Sequence, residues 1–561
     1  MTAPVSTPRR PRQPGEPAGR VGFGQLLRAE WTKFRTVRGW VIGMAVAALV
    51  IVAIGLLTAL GGESSCGNQA CPAPPTGPGG EAVVDTFYFV HQPLAGNGSI
   101  TVRMTALTGL YSSGFIQPGQ GLTGMRPGLE PWAKAGIIVK ASTRPGSAYA
   151  AMMVTGSHGV RMQDDYTRDT AGLSGAVSAA APRWLRLTRS GDTLTGYDSA
   201  DGTRWTRVGT VTLRGLPSTV QAGLFATSPG HSQVRTAGIG SAAATGGPTL
   251  VTAAFDHVSL QGSGPSGSGP SGSGAGGSGA GGSGPRGSGP RGSGAGGAWA
   301  GDAVGGSSGG LPASAEAFRQ AGGRFTVSGS GDIAPDVPAV PADPGTAIEF
   351  TLAGTFAALV AVIVVGTMFM TAEYRRGLIR VTLAASPRRG RVLVAKAVVV
   401  GAVTFVAGLA GAAVTVPVSE RILREHGFYI LPVTTLTELR VVAGTAALLA
   451  VVAVLALAVG TLLRSSAGAV AAVLGAIVLP YFLAVAANVL PVGAADWVLR
   501  VTPAAAFAIQ QSTPQYPQVS GIYTPFQGYF PLAPWAGFAV LCAWAALAVV
   551  LAVVLLRRRD V

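Results

Sequence analysis

The sequence predicts a mixed fold: a polytopic α-helical membrane domain of six spans, with an all-β sandwich inserted between spans 1 and 2. Charged residues make up only 12% of the 561 residues, about half of the ~25% typical of soluble domains. Six apolar runs each reach the length of about twenty residues that a helix needs to cross a hydrocarbon core of about 30 Å. Strand-like runs separated by Gly, Pro, Ser and Asp follow the first apolar run.

The amino-terminal segment, residues 1–39, is predicted to be a cytoplasmic tail followed by an interfacial helix. Pro and Arg dominate the first twenty positions, which is typical of disorder. Trp31 and Phe34 then alternate with basic residues at helical spacing, which indicates an amphipathic helix on the membrane surface. Residues 40–60 form span 1. Their apolar run exceeds the roughly 7–15 residues of a signal peptide, so we predict an uncleaved span.

The region between the first two spans is predicted to be extracytoplasmic and to have three parts. Residues 61–260 form a β domain, residues 261–310 a flexible Gly/Ser/Pro-rich linker, and residues 311–345 a segment of one or two strands or a short helix. Cys66 and Cys71 flank four residues just outside span 1. Because an exported segment meets an oxidising environment, we expect these two cysteines to form a disulfide.

Four motifs in the β domain carry a family resemblance. They are the runs Trp132-Ala-Lys-Ala-Gly-Ile-Ile-Val, Arg183-Trp-Leu-Arg-Leu-Thr-Arg-Ser-Gly-Asp, Gly223-Leu-Phe and Phe255-Asp-His-Val. This series resembles a concanavalin-like jelly roll over residues 82–260.

One face of this β domain is a possible glycan-binding site. In a strand, Trp184 and Arg186 share one face, and Arg161 and Gln163 share a face in another run. An aromatic ring with guanidinium and amide groups on an open sheet can stack on a sugar and hydrogen-bond to it. The alternative is a solvated sheet face with one covering Trp.

Residues 346–561 are predicted to form the membrane domain with spans 2–6. We place these spans at about 348–370, 392–416, 439–462, 467–489 and 534–556. Nearly all of the net charge of +16 falls in residues 1–39, 371–396, 464 and 557–559. By the positive-inside rule these segments are cytoplasmic, as are both termini of a multi-pass protein of the plasma (inner) membrane. The basic excess therefore predicts topology and contact with membrane lipid rather than nucleic acid.

The loop between spans 2 and 3, residues 371–391, carries the second resemblance. Its motifs are Glu373-Tyr-Arg-Arg-Gly, Ile379-Arg-Val-Thr-Leu and Ser386-Pro-Arg-Arg. They resemble the corresponding loop of ABC transporter permeases of the type 2, exporter-like class. The resemblance implies a coupling helix that docks on a separate cytoplasmic ABC ATPase subunit, within a homodimer or heterodimer of permeases. The implied coupling residues are Glu373, Arg375, Arg376, Leu378, Arg380 and Leu383. The alternative is a topogenic loop whose arginines only hold orientation.

The sequence lacks the motifs of the common catalytic classes. None of its four lysines follows a glycine, so there is no phosphate loop, and no metal-ligand histidine pair occurs. The pattern Gly-x-Ser-x-Gly falls only in the Gly-rich residues 305–310, at the end of the predicted linker, so no nucleophile elbow between a strand and a helix is predicted. We therefore predict a non-enzymatic chain without a cofactor, with ATP and Mg on the partner ATPase. The predicted function is the permease subunit of an ATP-driven exporter whose outer domain binds carbohydrate. The alternative is a membrane-anchored carbohydrate-binding or surface-recognition protein without transport.

Overall fold

The computed structural model describes residues 22–61, 73–114, 122–238, 241–262, 298–306, 311–312, 314–338, 345–375, 389–486, 492–521 and 523–558. The α-helices in these ranges are α1 (Phe23–Thr36), α2 (Arg38–Leu60), α3 (Thr355–Arg375), α4 (Arg389–Glu425), α5 (Thr435–Leu463), α6 (Ser466–Tyr481), α7 (Val492–Val501) and α8 (Pro534–Arg558). Within the described ranges, six helices are long and apolar enough to cross a membrane, namely α2–α5, α6 with its extension to Ala484, and α8.

The helix ends differ from the predicted spans around the second and third of them. Residues Ile348–Leu352 form a 3₁₀ turn, and α3 begins only at Thr355 but continues to Arg375. The next helix already starts at Arg389. Both ends of the expected loop of residues 371–391 are therefore helical, and residues 376–388 between them lie outside the described residues.

Glycines allow the central helices α3 and α5 to approach closely. A Cβ on Gly366 would lie 2.7 Å from the carbonyl oxygen of Ala453, and one on Gly460 would lie 3.2 Å from that of Thr367. Small residues at such contacts are typical of helix packing in membranes. Because lipid tails are as apolar as the side chains, helix association there depends on close packing rather than on the hydrophobic effect. These helices form the buried centre of the membrane domain, and the other spans surround them.

The β domain is built from many short strands. The first eleven are β1 (Val83–Asp85), β2 (Phe87–Ala95), β3 (Gly98–Tyr111), β4 (Arg126–Pro127), β5 (Lys134–Lys140), β6 (Tyr149–Thr155), β7 (Val160–Asp164), β8 (Arg168–Ala171), β9 (Arg183–Ser190), β10 (Thr193–Ser199) and β11 (Thr206–Thr212). The others are β12 (Thr219–Thr227), β13 (His231–Gly238), β14 (Ser241–Gly247), β15 (Thr249–Gly262), β16 (Ala300–Val304), β17 (Ala317–Ala321), β18 (Arg324–Gly329), β19 (Ile333–Pro335), β20 (Gly345–Thr346) and β21 (Tyr429–Ile430).

Two antiparallel sheets face each other across one apolar core. One sheet has the order β11-β10-β9-β3-β15-β18-β17, with β4 beside β3, and the other has the order β16-β2-β12-β5-β6-β7-β8. Alternate side chains, such as Ile137 of β5 and Leu185 of β9, meet in the core between them. The second sheet is also covered on its outer face, so β5 and β6 are buried throughout. On that outer face, buried Lys134 and Lys140 form ion pairs with Asp332 and Asp85.

The boundary that we placed at residue 260 is wrong. β16 pairs with β2, β18 pairs with β15, and β19 pairs with β1, so strands from beyond the Gly-rich segment complete both sheets. Phe325 and Val327 of β18 belong to the central core. The low-complexity segment separates these neighbouring strands along the chain without ending their domain.

The β domain contacts loops of the membrane domain. The Gln518 side chain, which is 2% exposed, donates hydrogen bonds to the carbonyl oxygens of Tyr166 (3.4 Å) and Thr167 (3.1 Å). Val519 and Tyr529 pack on Ala334 and Val337, which follow β18. The two-residue strands β20 and β21 pair in parallel close by. The sandwich is thus docked on the membrane domain as well as linked to it.

Next to this contact, Glu349 makes the stability of the protein depend on pH. Its carboxylate accepts hydrogen bonds from the hydroxyl and the backbone N–H of Ser512. Burial raises the pKa of Glu349 to about 7. Because the pKa is higher in the folded than in the unfolded protein, the stabilisation from protonation is complete below about pH 4.5 and is lost by about pH 7.

We therefore expect the melting temperature of the purified protein to fall between pH 5 and pH 7 and to change little above that range. Glu349→Gln cannot ionise and should remove this part of the pH dependence. Scanning fluorimetry of both proteins across the range measures it. Identical pH profiles of the two proteins would contradict the assignment.

Candidate functional site

Four charged side chains meet where α1, α3 and α4 come together, and we call them the ionic cluster: Glu30, Lys33, Glu373 and Lys396. Lys396 of α4 is fully buried, and its Nζ donates to Glu30 Oε2 and Glu373 Oε1 at 2.7 Å each. Lys33 Nζ donates to Glu30 Oε1 at 2.9 Å and to Glu373 Oε1 at 3.2 Å. Two cations and two anions thus neutralise one another.

The cluster lies at the two helix ends, or stems, that flank residues 376–388. Glu373 lies two residues before α3 ends, and Lys396 lies seven residues after α4 begins. Glu30 and Lys33 are three residues apart on α1, so their side chains share one face of that helix. The arrangement therefore links α1 to both α3 and α4.

Aromatic rings cover the buried side of the cluster. Lys396 Nζ lies 4.6 Å from the ring centroid of Phe369, which makes a cation–π contact. Phe34 and Trp40 pack on the same ring at 5.6 Å and 4.9 Å between centroids. In such apolar surroundings the attraction between opposite charges is stronger than in water, and an unpaired charge is costly.

Lys33 is the solvent-facing member of the cluster, with 39% of its side chain exposed. Burial alone would lower the pKa of Lys33, but the hydrogen bonds and charges of Glu30 and Glu373 outweigh it, and the pKa is raised. Because its pKa is raised, Lys33 loses its proton only at alkaline pH. The side chain therefore contributes a constant positive charge through the physiological range.

The structure gives the predicted coupling residues different surroundings. Glu373 belongs to the ionic cluster and is buried, whereas Arg375 is exposed at the last position of α3. Arg376, Leu378, Arg380 and Leu383 lie outside the described residues. Their role in docking stays a prediction.

Lys396 differs from most lysines near the end of a membrane span, which extend their charge to the membrane surface. The side chain is instead enclosed, because carboxylates from two other helices meet it. Two features of the sequence could have indicated the ionic cluster. Lys396 is an ionisable residue inside an apolar span, which favours a functional site. Glu30 and Lys33 are spaced to share one face of α1.

The four residues of the possible glycan site do not come together. Trp184 and Arg186 lie on β9, on the outer face of its sheet, whereas Arg161 and Gln163 lie on β7 of the opposite sheet. A single site containing all four is therefore wrong, because opposite outer faces of a sandwich cannot bind one sugar. Arg161 and Gln163 instead bind Asp169 of the adjacent strand β8.

Trp184 is packed among other side chains rather than open on both faces of its ring. The guanidinium of Arg103 lies 5.7 Å from the ring centroid, and His257 packs at 5.3 Å. Arg186 lies two residues after Trp184 on β9, on the same face, and its guanidinium is 3.9 Å from the ring centroid of Trp205. Cys66 and Cys71 lie outside the described residues, so their disulfide stays a prediction.

Comparison with solved structures gives only weak similarities. A functionally unknown protein from Saccharomyces cerevisiae shares 16% identity over 31% of this chain and 74% of its own, with a TM-score of 0.19. Scytalido-glutamic peptidase with a transition-state analogue inhibitor shares 8% identity over 44% of this chain and 98% of its own, with a TM-score of 0.23. At these scores neither likeness carries information on fold or activity, and no curated protein matches the chain.

The family comparison is decisive. A family model described as "ABC-2 family transporter protein" matches residues 218–561, which is more than half of the chain. The match includes five of the six candidate spans, the loop of residues 376–388 and two members of the ionic cluster. The chain is therefore a multi-pass membrane protein that belongs to the ABC-2 family of transporter proteins.

Proposed function

We propose that this protein is the membrane-spanning permease subunit of an ATP-driven exporter, and that the loop of residues 376–388 couples it to a separate ATPase. The observation that supports this most is the ionic cluster at the stems of that loop. A permease without its own phosphate loop needs a rigid path from the partner to the spans. The cluster provides such a path, since Glu373 and Lys396 link the two stems directly.

In this mechanism the ATPase partner binds ATP and Mg and moves the loop when it closes. The loop cannot shift alone, because a displacement that separates Glu373 from Lys396 leaves buried charges unpaired. Instead α3 and α4 move together, and Glu30 carries α1 with them. A homodimer or heterodimer of permeases would receive the same movement on both halves.

Reversing the loop charges tests the docking role. We expect Arg376→Glu with Arg380→Glu to abolish co-purification of the ATPase or to uncouple its activity, because two attractive contacts become repulsive. Arg375→Glu, at the helix end before them, is the matched single reversal and should have a smaller effect. Unchanged ATPase binding and transport in the double reversal would show that the loop is only a topology signal.

The orientation of the membrane domain follows from the same proposal. Both termini and the loop lie in the cytoplasm, and the β domain lies outside the plasma membrane. Single cysteines replacing Ala280 or Ser520, in a background without Cys66, Cys71 and Cys542, should react with an impermeant maleimide on intact cells. A cysteine replacing Ala385 should react only after lysis. Labelling of position 385 on intact cells would overturn the orientation.

The β domain has the proposed role of a jelly roll that binds carbohydrate. The two arginine–tryptophan pairs on its outer face support this, Arg103 with Trp184 and Arg186 with Trp205. Each pair places hydrogen-bond donors beside an aromatic ring, and a sugar would have to displace the guanidinium to stack on that face of the ring. Carbohydrate recognition without any transport is the competing function, and it requires that no ATPase co-purifies.

A further inference from the structure

A cavity of about 640 Å³ opens where the start of α4, the end of α8 and the start of α1 meet. Its lining combines two kinds of side chain, the basic Arg389, Arg391 and Arg557 and the apolar Phe23, Val394 and Val553. No acidic side chain is among its described lining residues. The cavity is separate from the ionic cluster, whose members do not line it.

The three arginines converge because the helices are held together there. Arg389 Nη1 donates a 2.9 Å hydrogen bond to the carbonyl oxygen of Leu556, which joins the first residue of α4 to the last turn of α8. A Cβ on Gly390 would lie 3.9 Å from Arg557 Nη2, so that guanidinium extends along the first turn of α4. Since arginine keeps its charge at any physiological pH, this convergence favours an anion.

The apolar wall indicates what kind of anion fits. Phe23 is 38% exposed and Val394 is 41% exposed, so these side chains are open to their surroundings. Because α4 and α8 are both candidate spans, their ends lie at the boundary between hydrocarbon and headgroups. The cavity therefore has a basic end at headgroup level and an apolar side beside the hydrocarbon, which matches an amphiphile rather than a soluble ion.

We propose that this cavity binds an anionic phospholipid, with its phosphate on the arginines and its upper acyl chain along Phe23, Val394 and Val553. Guanidinium groups suit this ligand, because they form paired hydrogen bonds with phosphate oxygens. Basic pockets between membrane helices are known binding sites for acidic headgroups. The inference goes beyond the transport role and needs no ATPase. A bound lipid bridges α1, α4 and α8 beside the coupling loop.

The test uses the full-length protein reconstituted in nanodiscs of phosphatidylcholine with or without phosphatidylglycerol. After gentle detergent extraction, retained lipid is counted by native mass spectrometry. We expect retained phosphatidylglycerol on the wild type and about a tenfold loss in Arg391→Gln with Arg557→Gln, given the attraction of each arginine to acidic lipid. Arg558→Gln is the matched control, since Arg558 is exposed on the same helix turn but does not line the cavity.

Three results would overturn the proposal. One is equal retention in the wild type and the double variant, and another is the same loss in Arg558→Gln, which would indicate only general surface charge. The third is loss of the retained lipid on competition with inorganic phosphate, because a lipid site should keep its lipid and a soluble-anion site should not. Arg391→Gln alone, which leaves the packing of Arg557 intact, should lose part of the retention.

Discussion

Lys396→Met is expected to destabilise the membrane domain by about 3–5 kcal/mol, because it removes the cation that both buried carboxylates share. Glu30 and Glu373 would then repel each other in apolar surroundings, with only half-exposed Lys33 to neutralise them. If the protein has the proposed function, transport should also be lost, since α3 and α4 are then no longer linked beside residues 376–388. Thermal unfolding in detergent and transport in proteoliposomes measure the two effects.

Matched variants separate the charge effect from the loss of a long side chain. Lys33→Met removes an exposed member of the same cluster and should cost much less, because solvent screens that position. Adding Glu30→Gln to Lys396→Met restores charge balance and should recover part of the stability, which would appear as non-additivity in a double-mutant cycle. Equal losses in Lys33→Met and Lys396→Met, or strict additivity, would argue against a coupled ionic cluster.

The second large effect concerns where the β domain ends. A fragment of residues 73–262 is expected not to fold, whereas one of residues 73–338 should be soluble and folded. The shorter fragment lacks β16–β19, so Phe325 and Val327 leave the core and new strand edges are exposed. It also removes Asp332, the partner of fully buried Lys134. An uncompensated charge at that position alone costs several kcal/mol.

Circular dichroism and size-exclusion chromatography of the two fragments decide the matter. In the longer fragment, Asp332→Asn should reproduce part of the defect without removing any strand. Asp302→Asn, at an exposed position on β16, is the control and should have little effect. If a fragment of residues 73–262 were soluble and unfolded cooperatively, the strands after residue 262 would not be needed for the sandwich to fold.

The membrane spans could be predicted because hydropathy depends only on composition over about twenty residues. The continuation of α3 to Arg375 could not, because the helix-forming residues Ala372, Glu373 and Arg375 suit the end of span 2 as well as a separate coupling helix. Alternation along β9 correctly placed Trp184 and Arg186 on one face, since Leu185 and Leu187 between and beyond them lie in the core. Local patterns of this kind require no knowledge of what packs against them.

The ionic cluster and the sheet assignment were beyond local patterns. Glu30 and Lys396 are 366 positions apart, so nothing in either neighbourhood indicates the other. Likewise, the alternation of side chains along β7 predicts which side chains share a face with Arg161. It does not predict the sheet to which that strand belongs. Both facts depend on the order in which strands and helices pair. That order was also hidden by the Gly-rich segment between β15 and β16.

The pairing of β1 with β19 also determines when the β domain can fold. Val83 pairs with Pro335, so the first strand must wait until about 250 more residues have been synthesised before its partner arrives. Such non-local contacts fold slowly, in the range of milliseconds to seconds for sandwich topologies. During synthesis the early strands therefore have exposed edges, and the nascent domain is most susceptible to proteolysis and aggregation in that interval. The rate of chain synthesis, more than final stability, should then limit how much intact protein accumulates.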